Sequence, residues 1–161
     1  MSENVTNVVI AGLGGQGVLK ASDILADAAF ACGYDVKKSE IHGMSQRGGS
    51  VTSDVRFGPQ VLSPMVPDGS ADFLVVLAEE ETESARRHLR PGGVLIGPQS
   101  LGASSLPNRR SLNVALLGVL SVRLDLAVTA WHDAIRANLA EKLHETNLEA
   151  FAAGRRAARA K

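Results

Sequence analysis

A chain of 161 residues, 45% of them hydrophobic, is long enough to bury one core. Lysine plus arginine (17) balance aspartate plus glutamate (17), so no net field draws the chain to nucleic acid or to an anionic membrane. No apolar segment approaches the roughly 20 residues of a membrane span, and Met1-Ser2-Glu3-Asn4 lacks the basic start of a secretory signal, so a cytoplasmic location is expected.

Residues 7–11 form a short apolar run that breaks into Gly12-Leu13-Gly14-Gly15-Gln16-Gly17. That order predicts a strand, a tight turn and a helix start. Gly12, Gly14 and Gly17 stand in the G-x-G-x-x-G spacing, which permits a sharp turn, close backbone approach to a ligand and tight helix–strand packing. The N–H groups of a helix's first turn and the positive end of its dipole favour an anion by about 0.3–1 kcal/mol. Glycines that serve only a close strand-to-helix crossing would read the same way. Val18, Ala21, Leu25, Ala28 and Cys32 recur at three- and four-residue steps, which predicts a helix with one buried stripe and a core thiol. With Cys32 the only cysteine, a disulfide within the chain is excluded, as is a cluster needing about four thiolates.

Gly33 can end that helix, and residues 34–39 fit a second strand. Residues 40–49 have neither helical nor strand period and set polar groups between glycines, as a loop with chemical content does. Residues 50–57 return to strand, with Val51, Val55 and Phe57 on one face and Thr52, Asp54 and Arg56 on the other. Pro64 makes 61–66 an edge strand or an extended connection. Pro67-Asp68-Gly69-Ser70 is a turn, and the continuous apolar run 73–77 suits a strand buried in a parallel sheet.

Glu79, Glu80, Glu81 and Glu83 precede Arg86, Arg87 and His88, the charge order a helix dipole prefers; Glu79 reads as a dipole-stabilising carboxylate, with a site carboxylate as the alternative. Pro91-Gly92-Gly93 turns the chain into a strand at 94–96, and the Gly-, Ser- and Pro-rich stretch 97–110 is expected to be a mobile loop. Asn113 can cap a helix over 114–124, Thr129 another from 130, and 143–151 continues into a tail with Arg155, Arg156, Arg159 and Lys161, cations suited to a helix end. Trp131, Ile135 and Leu139 make one stripe and Leu143, Leu148 and Phe151 another, for the chain's own core or for a partner. The order predicts an α/β fold: one three-layer domain over 1–161 with a mostly parallel sheet, a mixed sheet being the variant, a Rossmann-like start and a helical C-terminal arm from about 113.

Two features compete to explain the glycine loop. In a dinucleotide fold an acidic residue at the end of the second strand receives the ribose hydroxyls, and Glu40 stands 23 residues beyond Gly17. That would make the chain a self-contained NAD(P)- or flavin-binding oxidoreductase. Yet where such a fold has a crossover helix, this chain runs through its polar loop directly into another strand. In that loop Arg47 is a permanent cation with a fork suited to carboxylate or phosphate, and His42 exchanges a proton near neutral pH. Gln46 both donates and accepts, and glycine-flanked N–H groups can join them in an anion nest. His42 and Arg47 are the candidate catalytic residues, although the same groups would equally serve a subunit interface. No metal site is expected: in His144-Glu145-Thr146-Asn147-Leu148, Leu148 stands where a second zinc-binding histidine is needed. Ser45, Ser50 and Ser53 lack a nucleophile-elbow setting.

Taken together, Gly12-Leu13-Gly14-Gly15-Gln16-Gly17 and Ser39-Glu40-Ile41-His42-Gly43-Met44-Ser45-Gln46-Arg47-Gly48-Gly49-Ser50-Val51 closely resemble the gamma-type subunit of the 2-oxoacid:ferredoxin oxidoreductases. Within that family the beta subunits of indolepyruvate ferredoxin oxidoreductases are the nearest likeness. It continues through 72–77, 91–93, 113–121, 131–135 and 147–154. The resemblance implies a part in oxidative decarboxylation of a 2-oxoacid, of indolepyruvate or aryl pyruvate type, to an acyl-CoA with electrons passed to ferredoxin. It also implies that no cofactor is bound by this chain alone: thiamine diphosphate with magnesium and 4Fe–4S clusters are expected on a large partner subunit, through which ferredoxin is met. The chain agrees, since Asp68-Gly69 is preceded by Pro67 rather than glycine and no Asn-Asn pair follows. The ligand- or interface-binding residues are then Gly12, Gly14, Gly15, Gln16, Gly17, Ser39, His42, Gly43, Gln46, Arg47, Gly48 and Gly49, with coenzyme A as the co-substrate to be contacted. A subunit in which both loops only shape an interface is the remaining alternative.

Overall fold

In the computed structural model, residues 4–42, 49–104 and 106–161 are described. Five strands, β1 (Thr6–Leu13), β2 (Asp35–His42), β3 (Ser50–Gly58), β4 (Ala71–Val76) and β5 (Leu89–Ile96), form one sheet in the order β2-β3-β1-β4-β5. The helices are α1 (Val18–Ala31), α2 (Thr82–Ala85), α3 (Leu112–Ser121), α4 (Val128–Asn138) and α5 (His144–Arg159). β1 runs parallel to β4, and β4 to β5, whereas β3 is antiparallel to both β1 and β2. The sheet is therefore mixed. A parallel return needs a crossover of a dozen or more residues, and the connection from His42 to Ser50 is too short to supply one, so β2 and β3 pair as antiparallel neighbours.

One face of the sheet carries α1, α3, α4 and α5 over a core in which Ile24, Leu25, Leu116, Leu117, Leu120, Trp131, Ile135 and Phe151 are fully buried. The other is covered thinly: Val9, Ala11, Leu74 and Val76 lie beneath Val66 and Ala85. The 59–70 segment crosses this second face as an extended connection, not an edge strand. Side chains pin it down. Asp35 accepts from the Val61 N–H at 2.7 Å, Asp54 from the Val66 N–H at 2.9 Å, and Arg56 donates to the Ser63 carbonyl at 2.8 Å.

Several elements differ from the sequence reading. Segment 79–88 is not one helix but a 3-10 turn at Glu79–Glu81, the four residues of α2 and a second 3-10 turn at Arg86–His88. β5 begins before Pro91-Gly92-Gly93 and takes that tripeptide in as an irregularity, its register against β4 shifting between Ala71 and Phe73. Asn113 is the second residue of α3 rather than its cap; a 3-10 turn at Arg109–Ser111 precedes it, and Asn108 accepts from the Arg110 N–H. Thr129 likewise lies inside α4.

The region expected as a C-terminal arm packs into the core, and its two stripes meet each other, with the Trp131 and Phe151 rings 5.6 Å apart. Leu143 stays 41% exposed. α3 and α5 cross where Gly118 faces the Phe151 carbonyl and Gly154 faces the Ala115 carbonyl, so close that a Cβ at either position would strike backbone. Cys32 caps the C-terminal end of α1 and is half-buried against the core. Among the described residues no helix is long and apolar enough to cross a membrane.

Candidate functional site

The glycine loop sits at the C-terminal ends of the parallel strands β1 and β4, where open α/β sheets place their ligands. Its shape is held by Gln16. The side-chain Oε1 accepts from the Leu13 N–H at 2.7 Å, and the Gln16 N–H donates to the Leu13 carbonyl at 3.1 Å. Gly17 ends the loop in the left-handed conformation, φ 82°, and begins α1; its carbonyl accepts from the Ala21 N–H at 3.0 Å and from the Asn113 side-chain amide at 3.2 Å. A Cβ here would meet that amide. No side chain caps α1, and no acidic group in its first turn answers its dipole.

The glycine loop meets the chain at Gly49, the residue before β3. Gly14 donates its N–H to the Gly49 carbonyl at 2.9 Å, and Ser50, the next residue, donates its hydroxyl to Glu81 at 2.8 Å. A cleft of about 430 Å³ runs between the glycine loop and the ends of β2 and β3, lined by Leu13, Gly14, Gly15, Gly17, Lys20, His42 and Val51. On the other side of the loop a second cleft, about 420 Å³, is lined by Gly15, Gln16, Gly17, Lys20, Leu77, Arg109, Arg110 and Asn113. Gly12 backs the loop from beneath, against Gln16, Val18 and Leu77. Lys20 borders both clefts, and Arg109 and Arg110 add two permanent cations to the second.

Of the residues read from the sequence, Gly12, Gly14, Gly15, Gln16, Gly17, His42 and Gly49 are gathered here. Ser39 is not: it lies in the middle of β2 opposite Asp54 and lines neither cleft. Gly43, Gln46, Arg47 and Gly48 fall outside the described residues. Glu40 is two strands from β1, with β3 between, and its carboxylate pairs with Lys38 at 3.4 Å. The ribose partner that a dinucleotide reading requires is therefore not beside the glycine loop. Lys20, Arg109, Arg110 and Asn113 were missed. One signal could have found the arginines: cations just before a helix oppose its dipole, so Arg109 and Arg110 stand where helix stability alone would not place them.

Donor chemistry limits what the chain can hold. Its one thiol is at the end of α1 remote from the glycine loop, about 20 Å along the helix. Among the described residues no three His, Cys, Asp or Glu side chains cluster as a metal site would need.

The family model for pyruvate ferredoxin/flavodoxin oxidoreductase matches residues 7–107, from β1 to beyond the end of β5. The chain belongs to that family. It is 34% identical over 195 residues to indolepyruvate oxidoreductase subunit IorB of Pyrococcus horikoshii, covering 95% of this chain and 96% of the relative. The keto/oxoacid ferredoxin oxidoreductase gamma subunit of Geobacter sulfurreducens superposes with a TM-score of 0.78 at 26% identity, covering 97% of this chain and 99% of that one. The same fold recurs in the 2-oxoglutarate:ferredoxin oxidoreductase of Magnetococcus marinus, whose structure holds 2-oxoglutarate, coenzyme A and succinyl-CoA. There the TM-score is 0.85 at 21% identity, and this chain spans 32% of that one.

Proposed function

We propose that the chain is the small gamma-type subunit of a cytoplasmic, thiamine-dependent 2-oxoacid:ferredoxin oxidoreductase of the indolepyruvate or aryl-pyruvate class, active in coenzyme A-acylating oxidative decarboxylation only within its complex. Family membership and the IorB relative support this reading. Thiamine diphosphate with magnesium and the 4Fe–4S clusters belong to a large partner subunit, which also meets ferredoxin. The thiamine group supplies the carbanion chemistry. This chain's residues do not fit either group, having one cysteine and no Gly-Asp-Gly, and take no step through them.

The chain's own task is to hold an anionic part of the reacting system, the phosphates of coenzyme A, against the glycine loop. The observation that carries this is the convergence of Lys20, Arg109 and Arg110 on the cleft beside the uncapped start of α1. First-turn N–H groups donate to the anion's oxygens, the three cations neutralise its charge, and Gln16 and Asn113 keep the loop from moving away. His42, which lines the cleft on the other side of the loop, and Arg47 line or brace the contact.

The test is the reconstituted complex, assayed for ferredoxin reduction with indolepyruvate. Arg109→Ala combined with Arg110→Ala should raise the KM for coenzyme A about tenfold or more, since a charge-assisted hydrogen bond is worth about 1.5–3 kcal/mol. The KM for the oxoacid should stay where it was. An unchanged coenzyme A KM would remove the phosphates from this cleft, and failure of the chain to support indolepyruvate-dependent reduction at all would overturn the whole assignment.

A further inference from the structure

The sheet has two edges, and only one is interrupted along its backbone. β5 carries Pro91, Gly92 at φ 78° and a broken register against β4, all of which spoil an edge as a template. β2 has none of these. It pairs with β3 without a shift from Asp35↔Gly58 to His42↔Val51, contains no proline, and turns the backbone groups of every second residue outward. Val36 and Lys38 lie on the α1 face, Val36 against the core and Lys38 bonded to Asp23, and strand alternation puts Glu40 and His42 on that face with them. Asp35 bonds the 59–70 segment on the opposite face, which it shares with Lys37, Ser39 and Ile41.

We propose that β2 is the pairing edge for a second copy of this chain, antiparallel across a two-fold axis at Ser39, so that the two sheets become one. A two-fold axis perpendicular to the sheet keeps each face on its own side, so only residues of one face can oppose one another. Charge then selects the register. Centring the axis on Lys37 or Lys38 opposes like lysines, and centring it on Glu40 opposes two carboxylates. Centring it on Ser39 sets Lys38 against Glu40 of the other copy, twice by symmetry. It also lays Ile41, 50% exposed, along the aliphatic stem of the other copy's Lys37, and sets Val36 across from His42. Lys38 and Glu40 already pair within one chain at 3.4 Å, so the joint closes four alternating charges into a ring.

The pairing does not depend on the reaction proposed above and is tested without it, by sedimentation velocity of the full chain over a concentration series. The wild type should self-associate to a dimer. Lys38→Glu alone opposes carboxylates at both crossings and Glu40→Lys alone opposes lysines, so each should weaken association by about tenfold or more. Mixing the two variants should restore it, because each supplies the charge the other needs. Rescue in trans separates the interface from loss of the Lys38–Asp23 contact inside one chain, which mixing cannot repair. A wild type that stays monomeric, single variants that dimerise as well as the wild type, or a mixture that stays as weak as its components would each overturn the proposal.

Discussion

Asp54 shows how much one side chain can hold in place on the thin side of the sheet. It is 5% exposed, it faces the 59–70 connection, and its carboxylate accepts the Val66 N–H. Burial pushes its pKa up, outweighing the opposing pull of that hydrogen bond and of His88 and Arg56, with Asp68 adding to the rise. The folded chain therefore holds the Asp54 proton to higher pH than the unfolded chain does. Between the ordinary carboxylate value and the raised one, the folded state binds more protons, so the free energy of unfolding falls as pH rises through that window. Asp54→Asn, whose amide oxygen can still accept from Val66, should flatten this part of the profile in urea denaturation measured across acid pH. A variant profile that runs parallel to the wild type would show that Asp54 is not responsible. At this scale the glycine loop was legible because Gln16, Gly17 and the start of α1 are neighbours in sequence. Lys20, Arg109 and Arg110 meet only because α3 is laid beside α1, and no local pattern states that.

Elements were legible where their periodicity was long and were misread where it was short. The stripe of α1 and the alternation of β3 gave the right elements. The order β2-β3-β1 was not legible, because nothing in β3 says that it will pair back onto β1 as well. Segment 79–88 has the charge order of a helix but buries only Ala85 and His88, too little apolar surface to hold more than one α turn. The α3–α5 crossing was likewise hidden, since Gly118 and Gly154 look in sequence like weaknesses in two helices. In the fold they are what allows the helices to touch backbone to backbone. Gly154→Ala should accordingly destabilise by about 1–3 kcal/mol or more through forced separation, although alanine is the better helix former. A thermal melt should show a drop of roughly 2–4 °C per kcal/mol for a chain of this size. An unchanged or raised melting temperature would mean that the crossing has room to open.

Across the whole molecule, the helices after residue 111 determine whether the sheet has a core on its thick side. α5 contributes Ala150, Phe151, Ala153 and Ala157 to the buried set, against Leu116, Leu117, Leu120 and Trp131. Truncating a buried phenylalanine alone costs about 3–5 kcal/mol, while a whole domain is stable by about 5–15 kcal/mol. Removing residues 144–161 should therefore abolish folding, whereas loss of a free-standing arm would leave it intact. The effect should reach the site, because Asn113 at the head of α3 holds the Gly17 carbonyl, and α3 is held by α5. Trp131 is the chain's one tryptophan and is fully buried against Phe151, so its fluorescence reports the loss directly. The truncated chain should emit as a solvated indole and melt without a cooperative transition. Retention of a buried-indole spectrum and a sharp melt would show that β1–β5 and α1–α4 form a stable unit without α5, and that Asn113 and the glycine loop keep their places without it.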